Sequence, residues 1–389
     1  MEPKVRFKGF EGEWIYLPFS EIAERTSVSE QAGILPGVEF EDIVSGEGSF
    51  NKNIYQKDCH KFGKVFHKGD ILFGKLRPYL KNIILADFKG VAIGDFWILR
   101  SKDFDTEYLY TLINSDSFLD VANISSGSKM PRADWNLVST TKFIVTSNKE
   151  EQQSIGTYFR TLDAKLQASA KKVDSLKKLK SASLVAMFPQ QGETTPKVRF
   201  KGFEGEWKIK SFKELYKRSS IKNDLTYDSS KIISVANMYF KEDNMNTDET
   251  YLLTYNVMKL GDIAFEGNKS KSFAHGRFVE NSIGNGIVSH VFVVFSPLNE
   301  DYDIDFWKYY INNEQVMGSK LVRCTKSSTM MTDLVVDDFL KETILVPSLE
   351  EQQELGRYFA TLDLKIALET DRLEKLKQIK LACLDKMFV

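Results

Sequence analysis

Two stretches of this chain carry apolar residues at alternating steps of four and three positions. This spacing forms one apolar seam along an α-helix and is typical of a coiled coil. We therefore predict two long helices, over 148–188 and 348–389. A capping box begins each helix, Asn148 with Glu151 and Ser348 with Glu351. The seam residues predicted to pair the helices or to dock a partner are Ile155, Phe159, Leu162, Leu166 and Leu176 in the first helix and Leu355, Phe359, Leu362, Ile366 and Leu376 in the second.

Both seams are interrupted near the same places, at 169 and 369 and at 180 and 380. Two helices that share one pattern of interruptions are natural partners for each other. The alternative is that each helix packs on its own globular domain. We predict an antiparallel pair, since the two copies of a repeat usually associate through twofold symmetry. Between Ile155 and Met187 such a helix would rise roughly 48 Å.

The rest of the chain has short β-rich runs between turns of Gly, Asn, Asp and Ser, with a few helical stretches. The predicted fold class is α+β. Two mixed α/β domains, 1–147 and 196–347, stand in a pseudo-twofold arrangement, joined and spaced by the two long antiparallel coiled-coil helices. The polar, proline-bounded stretch 189–195 is predicted to be a linker. Strands are predicted near 83–85, 97–99, 232–235 and 290–295, and short helices near 107–118 and 305–315.

A repeat within the chain gives the strongest clue to function. The residues from Pro3 to Trp14 recur without a change from Pro196 to Trp207. A second match relates the segment that begins at Glu150 to the one that begins at Glu350. The chain is thus one unit written twice, with matched ends and different middles. Such a design suits a protein that reads two different targets at a fixed separation.

Composition narrows the class of protein. An apolar content of 42% is ample for packed cores, and three widely spaced cysteines fit a reduced cytoplasm. No apolar run approaches the roughly 18 residues of a membrane span, and the N-terminus lacks the layout of a signal peptide. The net charge of −1 does not by itself indicate nucleic-acid binding. Charge is local, however, because residues 61–81 hold six lysines and arginines against one acid.

No catalytic or metal-binding pattern emerges from the sequence. The run from Gly69 to Lys75 has the spacing of a phosphate-binding loop, but Leu76 stands where magnesium binding needs Ser or Thr. Histidines and cysteines give no pair at zinc-ligand spacing beyond a loose grouping of Cys59, His60 and His67. There is no Gly-x-Gly-x-x-Gly turn. We therefore expect a non-catalytic chain without a metal or cofactor of its own.

Basic and aromatic residues do cluster, at paired positions in the two units. Lysines and arginines suit phosphates, and an arginine such as Arg77 can form a bidentate contact with guanine. Each cluster alone could be a solvated loop, but their paired placement favours contact with DNA. The candidate DNA-binding residues are Lys64, Lys68, Lys75, Arg77, Tyr79, Lys81, Lys129 and Arg132 in the first unit and Lys269, Lys271, His275, Arg277, Lys320, Arg323 and Lys326 in the second.

Together these features resemble the specificity subunit of type I restriction–modification enzymes. The resemblance rests on the repeat, on Gly-Asp-Ile-Leu-Phe-Gly-Lys-Leu-Arg-Pro after residue 68, on Gly-Ser-Lys-Met after residue 126, and on the helix starts Glu-Gln-Gln-x-Ile/Leu-Gly-x-Tyr-Phe-x-Thr-Leu-Asp. The second unit departs from it between Glu266 and Lys271, where the Gly-Lys-Leu-Arg-Pro continuation is missing. That departure leaves the roles of Lys269 and Lys271 open.

The resemblance implies a bacterial or archaeal cytoplasmic protein in which each domain is a target recognition domain. Each domain would bind one half of a split, asymmetric site in double-stranded DNA, and the helices would set the unspecified gap. The helices would also dock two methyltransferase subunits and, through them, two restriction/translocase subunits. S-adenosylmethionine, ATP and magnesium would be bound only by those partners. Two alternatives remain: a stand-alone DNA-binding or regulatory protein, and a coiled-coil scaffold with no nucleic-acid role.

Overall fold

The two predicted long helices are present in a computed structural model of the chain, as Lys149–Ala186 and Leu349–Met387. The structure describes residues 3–33, 35–57, 59–124, 130–241, 248–298, 302–327 and 331–388. These residues form two compact units. Unit 1 runs to Lys172 and resumes at Glu369, and unit 2 is Val173–Leu368. Each unit contains a mixed α/β domain and part of both long helices, which confirms the predicted α+β class.

A four-stranded antiparallel sheet lies at the centre of unit 1, in the order Ala23–Thr26, Phe96–Ser101, Ile71–Gly74, Ile83–Leu85. A second four-stranded sheet has the order Ser29–Gln31, Phe62–Phe66, Gly90–Ala92, Gly37–Val38. Strand pairs join Ile15–Pro18 to Lys142–Val145 and Ile43–Val44 to Ser49–Phe50. The shorter helices of this unit are Phe19–Ile22, Thr106–Ile113, Asp116–Asn123 and Trp135–Thr140, with 3-10 turns at Phe40–Asp42, Ile54–Gln56 and Pro78–Leu80.

Unit 2 repeats the central sheet with the same strand order, Tyr216–Ser219, Val293–Pro297, Ile263–Glu266, Arg277–Glu280. Its strand pairs are Lys208–Ser211 with Thr343–Val346, Ile233–Ser234 with Tyr239–Phe240, Asn256–Met258 with Gly286–Val288, and Thr325–Ser327 with Thr332–Leu334. Its shorter helices are Phe212–Leu215, Glu249–Leu252, Ile304–Tyr310, Glu314–Cys324 and Val336–Lys341, with a 3-10 turn at Ser229–Lys231. The central sheet is therefore duplicated, although its strands lie in the middles of the units, where the two sequences differ.

The two predicted short helices are each split in two, so the prediction of single helices at 107–118 and 305–315 was wrong. In unit 1 the Ser115 hydroxyl accepts a hydrogen bond from the backbone N–H of Phe118 and caps a new helix. In unit 2 the Asn313 side chain accepts one from the N–H of Gln315. Such side chains satisfy the first free N–H groups of a helix, which favours a new start over continuation.

The long helices pair in opposite directions, as predicted. In unit 1 the Ser169 hydroxyl donates to Glu369 Oε1 at 2.5 Å, and Lys380 lies 2.6 Å from Asp163. In unit 2 the matching ion pair joins Lys180 to Asp363 at 2.5 Å. The positions that interrupt the seams are therefore the positions at which the two helices exchange polar contacts.

Each helix pair also belongs to the core of its unit, which combines the two alternatives weighed from the sequence. In unit 1, Phe388 lies 6.0 Å from Trp14 and 5.6 Å from Tyr108 between ring centres. In unit 2, Phe188 packs in the same way on Tyr310 at 5.0 Å and on Phe359 at 5.5 Å. The last aromatic residue of each long segment thus closes a globular core.

Candidate nucleic-acid interface

In unit 1 the predicted basic loop, residues 75–81, follows the strand Ile71–Gly74. Its backbone is fixed against a second loop: the N–H of Arg77 donates to the carbonyl of Pro131 at 2.8 Å, and that of Ala133 donates to the carbonyl of Lys75 at 2.9 Å. Arg77 and Lys81 both have a left-handed backbone, each with φ of 51°. Residues other than glycine rarely adopt this conformation, and it concentrates at functional sites.

Asp95 joins the two loops electrostatically. Its carboxylate lies 3.3 Å from Lys75 and 3.0 Å from Arg132. Burial opposes ionisation here, but the hydrogen bonds from Arg132 and Lys75 outweigh it and lower the pKa of Asp95. Lys64 reaches the same place and donates to the carbonyl of Phe96. Burial lowers the pKa of Lys64, and the neighbouring Lys75 and Arg25 lower it further.

Arg77 and Tyr79 are not part of this cluster. Both side chains are exposed, and Tyr79 is 55% accessible. The Arg77 side chain makes no hydrogen bond or ion pair to any residue that the structure describes. Unit 1 therefore presents one unpaired guanidinium and one aromatic ring on a loop whose backbone is held in place.

Unit 2 builds the corresponding place from the corresponding loops. The N–H of Thr332 donates to the carbonyl of Gly267 at 2.8 Å, and Asn268 pairs with Met331. A Cβ on Gly267 would lie 2.2 Å from the Thr332 carbonyl oxygen, so the close approach requires glycine. Lys269 donates to the Ser327 hydroxyl at 2.6 Å.

The charges of unit 2 are arranged differently. Arg277 pairs with the buried Glu266 at 2.7 Å and donates to the Ala236 carbonyl at 2.7 Å. Its guanidinium also lies 5.0 Å from the ring centre of Phe273. Lys271 is exposed, and His275 is half-buried near Glu314. An acid again holds a cation of the site, but Glu266 ends the strand Ile263–Glu266, whereas Asp95 lies in a turn between two strands.

The remaining predicted residues are not all brought together. Lys68 is exposed on the turn before Gly69, and Lys81 lies 3.8 Å from Asp116. Arg323 is engaged by Glu342 through two hydrogen bonds of 2.7 and 2.6 Å, and the half-buried Lys320 lines a cavity of about 350 Å³ beside the linker. Lys326 is exposed on the strand Thr325–Ser327. Lys129 lies outside the described residues.

The seam residues predicted for helix pairing or partner docking face inward. Ile155, Phe159, Leu162, Leu355, Phe359 and Leu362 are buried, and Leu166, Leu176, Ile366 and Leu376 are half-buried. Ile155 and Phe159 belong to the core of unit 1, and Leu355, Phe359 and Leu362 belong to that of unit 2.

Two ion pairs link the repeated leader to the helix starts, and sequence reasoning assigned these glutamates to capping boxes instead. Asn148 and Ser348 do accept hydrogen bonds from the N–H groups of Glu151 and Glu351, as predicted. The carboxylate of Glu151, however, accepts two hydrogen bonds from Arg6, and that of Glu351 accepts two from Arg199. A signal was present, since both the arginine and the glutamate lie in the repeated segments.

Asp95 and Arg25 were also not predicted from the sequence as residues of the candidate interface. Asp95 is far in sequence from both Lys75 and Arg132, so no local pattern connects them. Within the described ranges, no group of three or more His, Cys, Asp or Glu side chains could hold a metal ion. A search of the same residues finds no helix that is long and apolar enough to cross a membrane.

Residues 204–378 match the family described as "Type I restriction modification DNA specificity domain". The chain is 25% identical over 125 residues to the specificity subunit of the type I restriction enzyme EcoDI from Escherichia coli. That match covers 31% of this chain and only 28% of the relative.

Solved structures match along the whole length. The S subunit of a type I restriction–modification system from M. genitalium has a TM-score of 0.61 at 14% identity, covering 100% of this chain and 99% of that one. A chain from a study of assembly and conformational transition of the type I R-M system has a TM-score of 0.53 at 17% identity, covering 97% and 98%. These two structures support the fold alone. The family match and the match to the EcoDI subunit confirm the resemblance to type I specificity subunits.

Proposed function

We propose that this chain, a relative of type I restriction–modification specificity subunits, reads a bipartite, asymmetric site in double-stranded DNA. The domain of unit 1 would bind one half-site and that of unit 2 the other, and the paired helices would set the unspecified gap. The chain would perform no chemistry itself. Its task would be to direct methyltransferase and restriction subunits to one sequence.

One observation carries this proposal. The same two loops meet beside the same central sheet in both units, yet they carry different side chains. Loop 75–81 meets residues 131–133 in unit 1, and residues 267–269 meet Ser327, Met331 and Thr332 in unit 2. A common scaffold with different residues at one place is what two different half-sites require.

The chemistry of the unit 1 loops suits DNA. Arg77 can form two parallel hydrogen bonds to guanine O6 and N7, and such a contact is worth about 1–3 kcal/mol of discrimination. Lys75 and Arg132 can contact phosphates, which fixes the register without specifying bases. A backbone held by hydrogen bonds lowers the entropy cost of presenting Arg77 to a base.

Partners and cofactors follow from the same proposal. Two methyltransferase subunits would dock on the helices, and two restriction/translocase subunits would join through them. S-adenosylmethionine, ATP and magnesium would all be bound by those subunits. The long helices have outward apolar side chains suited to such contacts, including Leu179 in the first and Leu364 in the second, at 47% and 59% exposure.

The test is to co-express the chain with its neighbouring methyltransferase subunit in a methylation-free host and to map modified adenines across the genome. One split motif with a fixed gap is expected. Arg77→Ala should relax or abolish recognition of one half-site only, and Lys269→Ala should affect the other. Lys102→Ala, at an exposed lysine that follows the opposite end of the strand Phe96–Ser101 from Asp95, is the control.

The outcomes separate the alternatives. An unsplit motif would contradict the bipartite reading. No new methylation despite a soluble complex, together with tight specific binding by the chain alone, would favour a stand-alone DNA-binding protein. The absence of any salt-dependent DNA binding would favour a scaffold.

A further inference from the structure

Asp95 is an acid in the middle of the basic surface of unit 1. It follows Gly94 in the turn between the strands Gly90–Ala92 and Phe96–Ser101. Its carboxylate is 30% exposed and contacts Lys75 and Arg132, while its own backbone carbonyl accepts the N–H of Lys75 at 2.9 Å. The acid therefore occupies two cations of the candidate interface.

More positive charge lies around it. Lys64 is close enough to Lys75 and Arg25 for their charges to lower its pKa, although burial is the larger cause. Arg25 lies 4.8 Å from the ring centre of Trp135. A carboxylate at this place weakens the field that any DNA phosphate would meet. A surface selected only for affinity would gain by losing it.

We propose that Asp95 is a specificity residue that competes with DNA phosphates for Lys75 and Arg132. Every duplex, whatever its sequence, must displace Asp95 from these cations before its phosphates can bind them. Only the target sequence offsets that cost, through the base contacts of Arg77 on the adjoining loop. Asp95 is thus a positioning residue that lowers non-specific binding more than specific binding. This inference rests on the proposed function.

In unit 2 a different acid pairs with a cation of the candidate interface. In the two central sheets, Trp97 pairs with Phe73 and Val293 pairs with Phe265, so Trp97 and Val293 are equivalent positions. Two residues before them, Val291 of unit 2 therefore corresponds to Asp95 of unit 1. Val291 is apolar and exposed. Glu266, at the end of the neighbouring strand, holds Arg277 instead. Each unit thus pairs an acid with a cation of its interface.

The test compares Asp95→Asn with wild type in the complex with the methyltransferase subunit. Fluorescence anisotropy measures Kd for the mapped target duplex and for the same duplex with both half-sites scrambled, over a salt series. Asp174→Asn, on an exposed pair with Lys178 in the first long helix, changes the net charge equally and is the matched control. Asp95→Glu keeps the charge and should behave as wild type.

Removing the one negative charge of Asp95 should add about one net phosphate contact, which steepens the dependence of log K on log salt by about 0.9. At 0.1 M salt, this corresponds to scrambled DNA being bound roughly five- to tenfold more tightly. The target should gain less, so the ratio of the two affinities should fall. The control should keep both the ratio and the slope of wild type.

Two results would overturn the inference. One is an unchanged ratio and slope in Asp95→Asn. The other is an equal loss of affinity for both duplexes, which would mean that Asp95 only holds the loops together. Asp95→Gln is the second neutral variant if Asp95→Asn fails to fold. Failure of the proposed function would look different, because wild type itself would then not distinguish target from scrambled DNA.

Discussion

The ion pair between the leader and the helix start offers a test in which one unit is the control for the other. In unit 2, Arg199 contacts Glu351 through two hydrogen bonds of 2.6 and 2.7 Å, and the glutamate side chain is only 2% exposed. Arg6 and Glu151 form the same pair in unit 1, at 2.7 and 2.9 Å. We consider Arg199→Ala and Arg6→Ala.

The surroundings of the two glutamates differ in one donor. In unit 1 the Thr146 hydroxyl donates to Glu151 at 2.6 Å. The equivalent residue in unit 2 is Pro347, since Gln152 and Gln352 donate to the carbonyls of Thr146 and Pro347 respectively. Proline has no hydroxyl to donate. When the arginine is removed, the buried carboxylate of Glu151 therefore keeps one side-chain hydrogen bond, from Thr146, that Glu351 lacks.

Breaking a buried ion pair by removing one partner costs about 3–5 kcal/mol. A retained hydrogen bond to a charged group offsets about 1.5–3 kcal/mol of this. We therefore expect Arg199→Ala to destabilise unit 2 by about 3–5 kcal/mol and Arg6→Ala to destabilise unit 1 by about 1–3 kcal/mol. At about 2–4 °C per kcal/mol, the larger loss would lower Tm by roughly 6–20 °C.

Hydrogen exchange can report each unit separately, because local opening is read peptide by peptide. The peptide at the start of the first long helix reports the loss of exchange protection in unit 1, and the peptide at the start of the second reports that in unit 2. Thr146→Val in the Arg6→Ala background should bring unit 1 to the level of unit 2. Replacing both partners, Arg199→Met with Glu351→Met, should recover most of the stability. Equal losses in the two single variants would refute the role given to Thr146.

Two further predictions concern unit 2. Gly356→Ala would place a Cβ 2.4 Å from Asp303 Oδ1 and 2.8 Å from the backbone nitrogen of Phe306, so we expect thermal unfolding to show a loss of about 1–3 kcal/mol in stability. Gln353→Ala, at an exposed position of the same helix, is the control. An unchanged Tm in Gly356→Ala would contradict the packing argument. Burial raises the pKa of Glu280 well above 4.5, even though Tyr302 donates to it. The stability that this carboxyl contributes is therefore complete below about pH 4.5 and is lost as the pH rises through the raised pKa. In Glu280→Gln the fall of Tm with rising pH should be smaller than in wild type. Identical Tm profiles for the two proteins would contradict this prediction.

The sequence predicted the elements that depend on regular patterns. The seams gave both long helices to within two residues at each end, and their shared interruptions gave the contact between Ser169 and Glu369. The breaks at Ser115 and Asn313 were missed, although both are good capping residues, because the apolar pattern continues across them. Periodicity detects a helix face, and it does not detect where the backbone leaves the helix.

The candidate interface shows the same limit. The repeat predicted paired basic clusters at matching places in the two units. Neighbouring residues in the sequence could not distinguish the roles of Arg77 and Arg323. Arg77 is unpaired among the described residues, whereas Arg323 forms hydrogen bonds with Glu342. Both are arginines beside other basic residues in the sequence. Their difference lies in a partner that is brought near only by folding.

By itself, the sequence determined the duplication, the long helices, the α+β class and the resemblance to a DNA-specificity subunit. These are encoded in spacings and repeats, which are local along the chain. The tertiary structure decided which charges remain available, through Asp95 in unit 1 and Glu266 in unit 2. An ion pair depends on a distance of a few ångströms between residues far apart in sequence, and only the packed sheet and loops fix that distance.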